Sequence, residues 1–372
     1  MITPFTIAVP DEVLADLRAR IRNTRWPPAA PGAAWEQGAD LAYLKELLHD
    51  WSNRFDWRAR ERELNRFHHF RAEIDSVSIH FVHERARSGR GIPLLLQHGW
   101  PSAFVEYLPL VPLLSEFDLV IPSLPGYGFS QRPARANYRS VAALWHKLMG
   151  ALGYTRYGAG GGDFGAGVAT LLALDQPQSV IGIHLSNLEI MPEVKGPLTE
   201  AERVYLAQKQ RWDEVERGYS AIQSTKPQTV GFGLNDSPAG LAAYLVEKWR
   251  SWTDSGGNPD RAGREFLLTL LTIYWVTQSI TTSMRDYFDN RWQGVKLAPG
   301  ERVRVPAAIA NFDHQFAFEG APPREFAERL YDVQRWTEVP RGGSFTPERR
   351  ALDKPMAIAC FVDRAPCLPP RM

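Results

Sequence analysis

The stretch that most constrains this chain is Gly161-Gly162-Asp163-Phe164-Gly165. An apolar-flanked run, Tyr154 to Ala159, leads into it, and Ala166-Gly-Val-Ala-Thr-Leu-Leu-Ala-Leu, which reads as a helix, follows. A strand, a glycine-framed acid and a helix make a nucleophile elbow, with aspartate where serine usually stands. Such a turn brings the helix close to the strand, so the residues two before and two after the acid must be small. Gly161 and Gly165 meet that need. The turn lifts the Asp163 carboxylate above the sheet edge and aims the backbone N–H of Phe164 at the place where an oxyanion forms. The competing reading is a glycine-rich nucleotide loop with an incidental acid. It finds no G-x-G-x-x-G in the first βα turn and no G-x-x-x-x-G-K-[ST] anywhere.

Around the elbow, short apolar runs alternate with helical patterns. Pro93 to Gln97 is a continuous apolar run, as a buried parallel strand requires, and ends in His98-Gly99-Trp100-Pro101. Leu119-Val120-Ile121 is the next strand, Val141 to Gly150 a helix, and Val180 to Leu185 a further strand. Val303 to Phe312 and Val333 to Val339 restore the strand pattern. The fold expected is α/β, a doubly wound, mostly parallel sheet. Between about 190 and 300 the strand signal is lost. Leu198 to Tyr219, Gly240 to Trp252 and Arg264 to Tyr287 read as helices of a lid over the carboxyl ends of the strands. Ahead of the sheet, helices are expected from Asp11, over Leu41 to Trp51 and over Trp57 to Phe67. An alternating hairpin follows from Phe70 to Glu84. This front section is polar enough to wrap a core rather than form one. The division is therefore 1–90 as a front segment, 91–189 and 301–372 as the two halves of an α/β core, and 190–300 as the lid.

A net charge of +1 gives no electrostatic reason to expect nucleic acid or an anionic membrane as partner. No run approaches the roughly 18 apolar residues of a membrane span. Met1-Ile-Thr-Pro-Phe shows no signal peptide, and the two cysteines, Cys360 and Cys367, suggest a reducing compartment. A cytoplasmic protein acting on a small molecule is expected, with homo-oligomerisation left open. No metal-ligand spacing and no cofactor motif is present, so neither is expected.

Several motifs at once resemble the epoxide hydrolases of the α/β-hydrolase superfamily, in the microsomal-type branch with an extra N-terminal domain. His98-Gly99-Trp100-Pro101 matches that family's oxyanion motif, and Gly161 to Gly165 its nucleophile motif, with Phe164 where tryptophan is common. Gly218-Tyr219 and Ser283-Met-Arg-Asp-Tyr287 are similar to the stretches bearing its two lid tyrosines. Val339-Pro-Arg-Gly342-Gly343 is similar to the lead-in to its catalytic histidine. The resemblance implies that Tyr219 and Tyr287 donate to the epoxide oxygen and that Asp163 attacks carbon to form an ester. A histidine oriented by an acid then activates water, and the N–H groups of Trp100 and Phe164 hold the oxyanion. The plain reading of each tyrosine is a packing residue. His98, Trp100, Phe164 and Trp275 are the residues expected to touch substrate. Trp212, Trp249, Trp252 and Trp292 are further lid tryptophans that either line an apolar pocket or pack the lid.

The chain departs from the family at two positions. Ser344 stands where the histidine is expected, in Gly342-Gly343-Ser344-Phe345, and Gln315 stands where the acid is expected. Serine has no useful basicity near neutral pH. Asp313 with His314 as a displaced pair, or Glu189 as a relocated acid, are the rescues on offer. Three functions follow. The first is a non-hydrolytic enzyme that activates an epoxide on a bulky apolar substrate, as in tailoring of a natural product. The second is an epoxide hydrolase with a relocated base, and the third is a non-catalytic binding protein.

Overall fold

In a computed structural model, residues 1–312 and 320–339 are described. Within them nine strands form one sheet: β1 (Ile2–Pro4), β2 (His69–Ile74), β3 (Val77–Glu84), β4 (Ile92–Gln97), β5 (Phe117–Pro122), β6 (Tyr157–Gly161), β7 (Val180–Leu185), β8 (Pro306–Phe312) and β9 (Asp332–Val339). Their order is β1-β2-β3-β5-β4-β6-β7-β8-β9. From β5 to β9 every neighbouring pair is parallel, and the first three strands are added antiparallel. β5 and β6 are buried at every position, as unbroken apolar or glycine runs covered on both faces must be.

Helices α1 (Asp11–Arg22), α2 (Leu41–Asn53) and α3 (Trp57–Leu64) precede β2. Asp40 and Asp56 cap the last two by accepting from Tyr43 N–H and Ala59 N–H. α4 (Tyr138–Ala151) and α5 (Phe164–Asp175) pack together between β5 and β7 in sequence. The lid comprises α6 (Glu200–Glu216), α7 (Gly218–Gln223), α8 (Pro227–Asp236), α9 (Pro238–Ser251), α10 (Arg264–Val276) and α11 (Ser279–Trp292).

Two expectations are corrected. The front section does not merely wrap the core. Its hairpin turns at Asp75 and Ser76, both with positive φ, and β3 pairs with β5 from Phe81↔Pro122 to Glu84↔Leu119. Its Leu14, Leu47, Trp51 and Trp57 are buried in the same apolar cluster as the sheet. Likewise Arg264 to Tyr287 is two helices. Gln278 adopts φ 53° and ψ 33°, a left-handed residue that ends one helical path and begins another.

The strand order places the site. β5 lies on one side of β4 and β6 on the other, so the chain reverses its winding between β4 and β6. The loops leaving the carboxyl ends of those two strands diverge there and open a crevice. Gly99 and Trp100 lie on one lip, Asp163 on the other.

Candidate active site

Asp163 caps β6 with φ 52° and ψ −129°, a conformation that costs an L residue on the order of 1–3 kcal/mol. The glycines around it make room. A Cβ on Gly161 would stand 2.6 Å from Gly165 C and 2.8 Å from Gln97 O, so strand and helix touch backbone to backbone. Gly99 does the same from the facing lip, where a Cβ would overlap the Asp163 side chain and stand 2.7 Å from its Cγ.

Asp163 is 8% exposed. Its Oδ1 accepts from Trp100 N–H at 2.9 Å and from Phe164 N–H at 2.8 Å. The two backbone donors assigned to an oxyanion thus converge on one oxygen of Asp163 itself. Asn187 Oδ1 accepts the Asp163 N–H at 2.7 Å and fixes the turn from beneath. Burial pushes the Asp163 pKa well above the ordinary carboxylate range, the charge of Glu189 adds to the rise, and the two N–H donors oppose it.

Phe164, Tyr287, Tyr219 and Trp100 form a ring of aromatics beside the carboxylate. Phe164 meets Tyr287 edge-on at 4.8 Å, Tyr287 meets Tyr219 at 5.7 Å, and Tyr219 lies parallel to Trp100 at 5.5 Å. Trp252 closes against Tyr219 at 4.9 Å, and Lys248 Nζ lies over the Tyr219 ring, 5.0 Å from its centre. Tyr219 is therefore in contact with two indoles and a cation. Burial, then the Asp163 charge, holds the Tyr219 phenol well above its usual pKa, and burial does the same for Tyr287. Both are protonated donors near neutral pH.

Flanking Tyr287 in α11 is a buried ion cluster that no sequence motif singles out. Arg132, in the loop after β5, reaches Asp286 Oδ1 at 2.5 Å and Asp289 Oδ2 at 2.7 Å, on either side of Tyr287 in α11. Asp289 also accepts Ala136 N–H at 2.8 Å.

Two residues expected to touch substrate are placed otherwise. His98 is fully buried and both ring nitrogens are taken by backbone. Nδ1 bonds Gly99 O at 3.1 Å, and Nε2 accepts Leu124 N–H at 3.1 Å. Burial lowers its pKa to about 4, so it is a neutral brace for the Gly99–Trp100 loop. Trp275 lies on the face of α10 that meets α1, with the Arg20 guanidinium 5.8 Å from its ring, and lines a surface cleft with Glu12 and Asp16. Of the other lid tryptophans, Trp252 joins the aromatic ring, Trp249 donates to Pro101 O at 3.3 Å, and Trp292 is 59% exposed. Asp313, His314, Gln315 and Ser344 lie outside the described residues.

Glu189, four residues past the end of β7, sits beside the elbow. Its Oε1 accepts the Tyr138 hydroxyl at 2.6 Å, and the Tyr138 ring packs on Phe164 at 5.4 Å. A polar residue just beyond the carboxyl end of a parallel strand is the only sequence signal it offers.

Comparison with known proteins identifies the family and the fold. Residues 2–107 match the family described as the epoxide hydrolase N terminus, and residues 92–229 the alpha/beta hydrolase fold. A protein of Stigmatella aurantiaca provisionally named an epoxide hydrolase is 39% identical over 379 residues, covering 97% of this chain and 84% of the relative. The juvenile hormone epoxide hydrolase of Bombyx mori superposes with a TM-score of 0.83 at 31% identity, over 98% of this chain and 95% of that one. The Aspergillus niger epoxide hydrolase gives 0.85 at 27% identity, over 98% and 97%. Among the described residues no helix is long and apolar enough to cross a membrane.

Proposed function

The chain belongs to the epoxide hydrolases of the α/β-hydrolase superfamily, and from that premise we propose that it opens an epoxide on a bulky apolar small molecule and releases a diol. The observation that carries this reading is the double N–H grip on Asp163 Oδ1. With Oδ1 held, Oδ2 is the oxygen free to attack. After attack Oδ1 is the ester carbonyl, already in place between the donors that stabilise a tetrahedral alkoxide.

In the first step the Oδ2–carbon bond forms and a ring C–O bond breaks. The oxygen takes its proton from Tyr219 or Tyr287, both protonated near neutral pH and held beside the carboxylate by the aromatic ring. In the second step water attacks Cγ of Asp163 and the ester C–O bond breaks. Enclosure of the carboxylate favours both steps, because burial strengthens each interaction made there.

The reading is tested by turnover with styrene oxide in oxygen-18 water. Diol formation that stops in Asp163→Asn, with the label entering the Asp163 peptide over repeated turnovers, is the expected result. Label appearing only in the diol while Asp163 stays unlabelled overturns the ester.

The replacement of histidine by Ser344 favours a second reading, in which the ester or activated epoxide is captured by a carbon or oxygen nucleophile of the substrate itself, as in natural-product tailoring. It predicts an isomer or a standing adduct, and no diol, in the same experiment.

A further inference from the structure

Resting on the hydrolase reading above, we propose that Glu189 is the base of its second step, with Tyr138 and Asn187 as its positioning residues. The geometry that points to it is a short relay around the elbow. Asn187 takes the Asp163 N–H on Oδ1 at 2.7 Å, and its Nδ2 reaches Glu189 Oε2 at 3.4 Å. Tyr138 donates to Glu189 Oε1 at 2.6 Å while its ring leans on Phe164, which in turn meets Tyr287. One amide therefore ties the nucleophile's backbone to the second carboxylate, and one phenol ties that carboxylate to the aromatic ring. Helix α5 leaves a gap for the pair at Gly167, where a Cβ would stand 3.0 Å from the Tyr138 ring and 3.1 Å from Glu189 Cγ.

The charges around Glu189 suit a base that is needed only after alkylation. Asp163 and Glu189 are both buried carboxylates, and the Glu189 charge makes ionisation of Asp163 harder. Ester formation removes the Asp163 charge and leaves Glu189 as the carboxylate beside the ester, where a base is then needed. Burial raises the Glu189 pKa, and the Tyr138 hydrogen bond, Arg217 and Lys209 of the lid and the Asn187 hydrogen bond favour its anion against that cost. Tyr219 and Tyr287 of the lid and Tyr331 before β9 face the same charge as neutral phenols.

The proton balance closes. Water oxygen bonds to Cγ as Glu189 takes one water proton, and the alkoxide forms on Oδ1 between the Trp100 and Phe164 N–H groups. Collapse breaks the Cγ–O bond to the substrate, and Glu189 returns its proton to the leaving alkoxide to give the diol. The second water proton, left on the Asp163 carboxyl, restores the tyrosine that protonated the ring oxygen.

The test is Glu189→Gln with styrene oxide, following diol and intact mass together. Wild type is expected to give diol with little standing adduct. Glu189→Gln is expected to lose diol turnover by about 10²-fold or more while one epoxide per chain accumulates on Asp163. That adduct also shows that the variant's pocket is folded. Tyr138→Phe removes a donor that favours the anion, so the pH at which ester hydrolysis switches on should move upward. Diol at the wild-type rate from Glu189→Gln overturns the assignment and leaves the hydrolase reading standing. Wild type giving neither adduct nor diol brings down the hydrolase reading and this one with it. If Glu189→Gln yields neither product while wild type turns over, Tyr138→Phe decides: a shifted limb sustains the assignment and an unmoved one ends it.

Discussion

Asp163 stands where it does because its neighbours have no side chains. Gly99 faces it across the crevice, and any Cβ there overlaps the carboxylate. Gly99→Ala is expected to displace Asp163 from the two N–H donors and to slow single-turnover alkylation by about 10²-fold, the size of loss typical when oxyanion donors are misplaced. The rate of adduct formation by intact mass measures it, and an unchanged rate would mean that the nucleophile is not held as described. A second expectation concerns stability. The folded pKa of Asp163 is raised, so its contribution to stability is fully present below the ordinary carboxylate pKa and is lost as pH rises through the elevated one. Asp163→Asn keeps the shape and removes the buried charge. Its Tm should exceed that of wild type at about pH 8, by roughly 2–6 °C, and the gap should close towards about pH 4. A gap that widens on acidification would contradict the sign of the shift. At this scale the sequence was readable where geometry forces composition. The elbow needs Gly161 and Gly165, so the pattern names Asp163. Arg132 and Glu189 carry no such pattern, because a lone charge in a loop acquires its meaning only from residues far away in the chain.

Among the elements, the lid shows what helical periodicity can and cannot convey. The apolar spacing continues from Leu267 through Ile280, so one long helix is the natural reading. The break rests on the backbone of Gln278 alone, and glutamine is not a residue that signals a left-handed turn. Gln278→Gly should relieve that strain and raise stability by about 1 kcal/mol in urea unfolding. A loss of stability would mean that the side chain matters more than the turn. The break lets α11 turn Tyr287 towards Asp163, and Arg132 then fixes it. Arg132→Met would leave Asp286 and Asp289 buried without their cation, at a cost of about 3–5 kcal/mol. Adding Asp286→Asn and Asp289→Asn to Arg132→Met should recover most of that loss, because the unpaired charges are gone. Recovery of stability without recovery of alkylation rate would locate the cluster's role in aiming Tyr287. The strands were legible from local apolar runs, and Val180–Leu185 matches residue for residue. Their order was not, since pairing between β3 and β5 depends on residues some 40 apart.

Across the whole molecule, the question is whether the front section is a separable part. Division at residue 90 follows the change in composition, and a wrapping segment ought to come away and leave a folded core. The packing argues otherwise. β3 covers the edge of β5, whose residues are all buried, and Ile79, Phe81 and Val82 are fully excluded from solvent. In the front helices Leu47, Leu48, Trp51 and Trp57 are at most 2% exposed. Each such side chain contributes about 1.5–3 kcal/mol by burial, so losing the contacts of seven reaches the net stability of a typical domain, about 5–15 kcal/mol. Polar contacts run from the same helices to the lid. Trp51 Nε1 donates to Thr272 Oγ1 at 2.8 Å, Tyr43 donates to Asp260 at 2.7 Å, and Arg264 joins Glu46, Asp50 and Asp260. The front section thus holds the sheet edge and the lid at once, and the lid carries both tyrosines. Residues 91–372 expressed alone should therefore lack a cooperative melt and near-ultraviolet dichroism, and should bind a hydrophobic dye, the signature of lost packing with retained secondary structure. The intact chain should unfold in one transition by tryptophan fluorescence and by far-ultraviolet dichroism, with coincident midpoints. A truncated chain that melts cooperatively and still alkylates Asp163 would show that the sheet closes without β3 and that the composition change at residue 90 marks a true boundary.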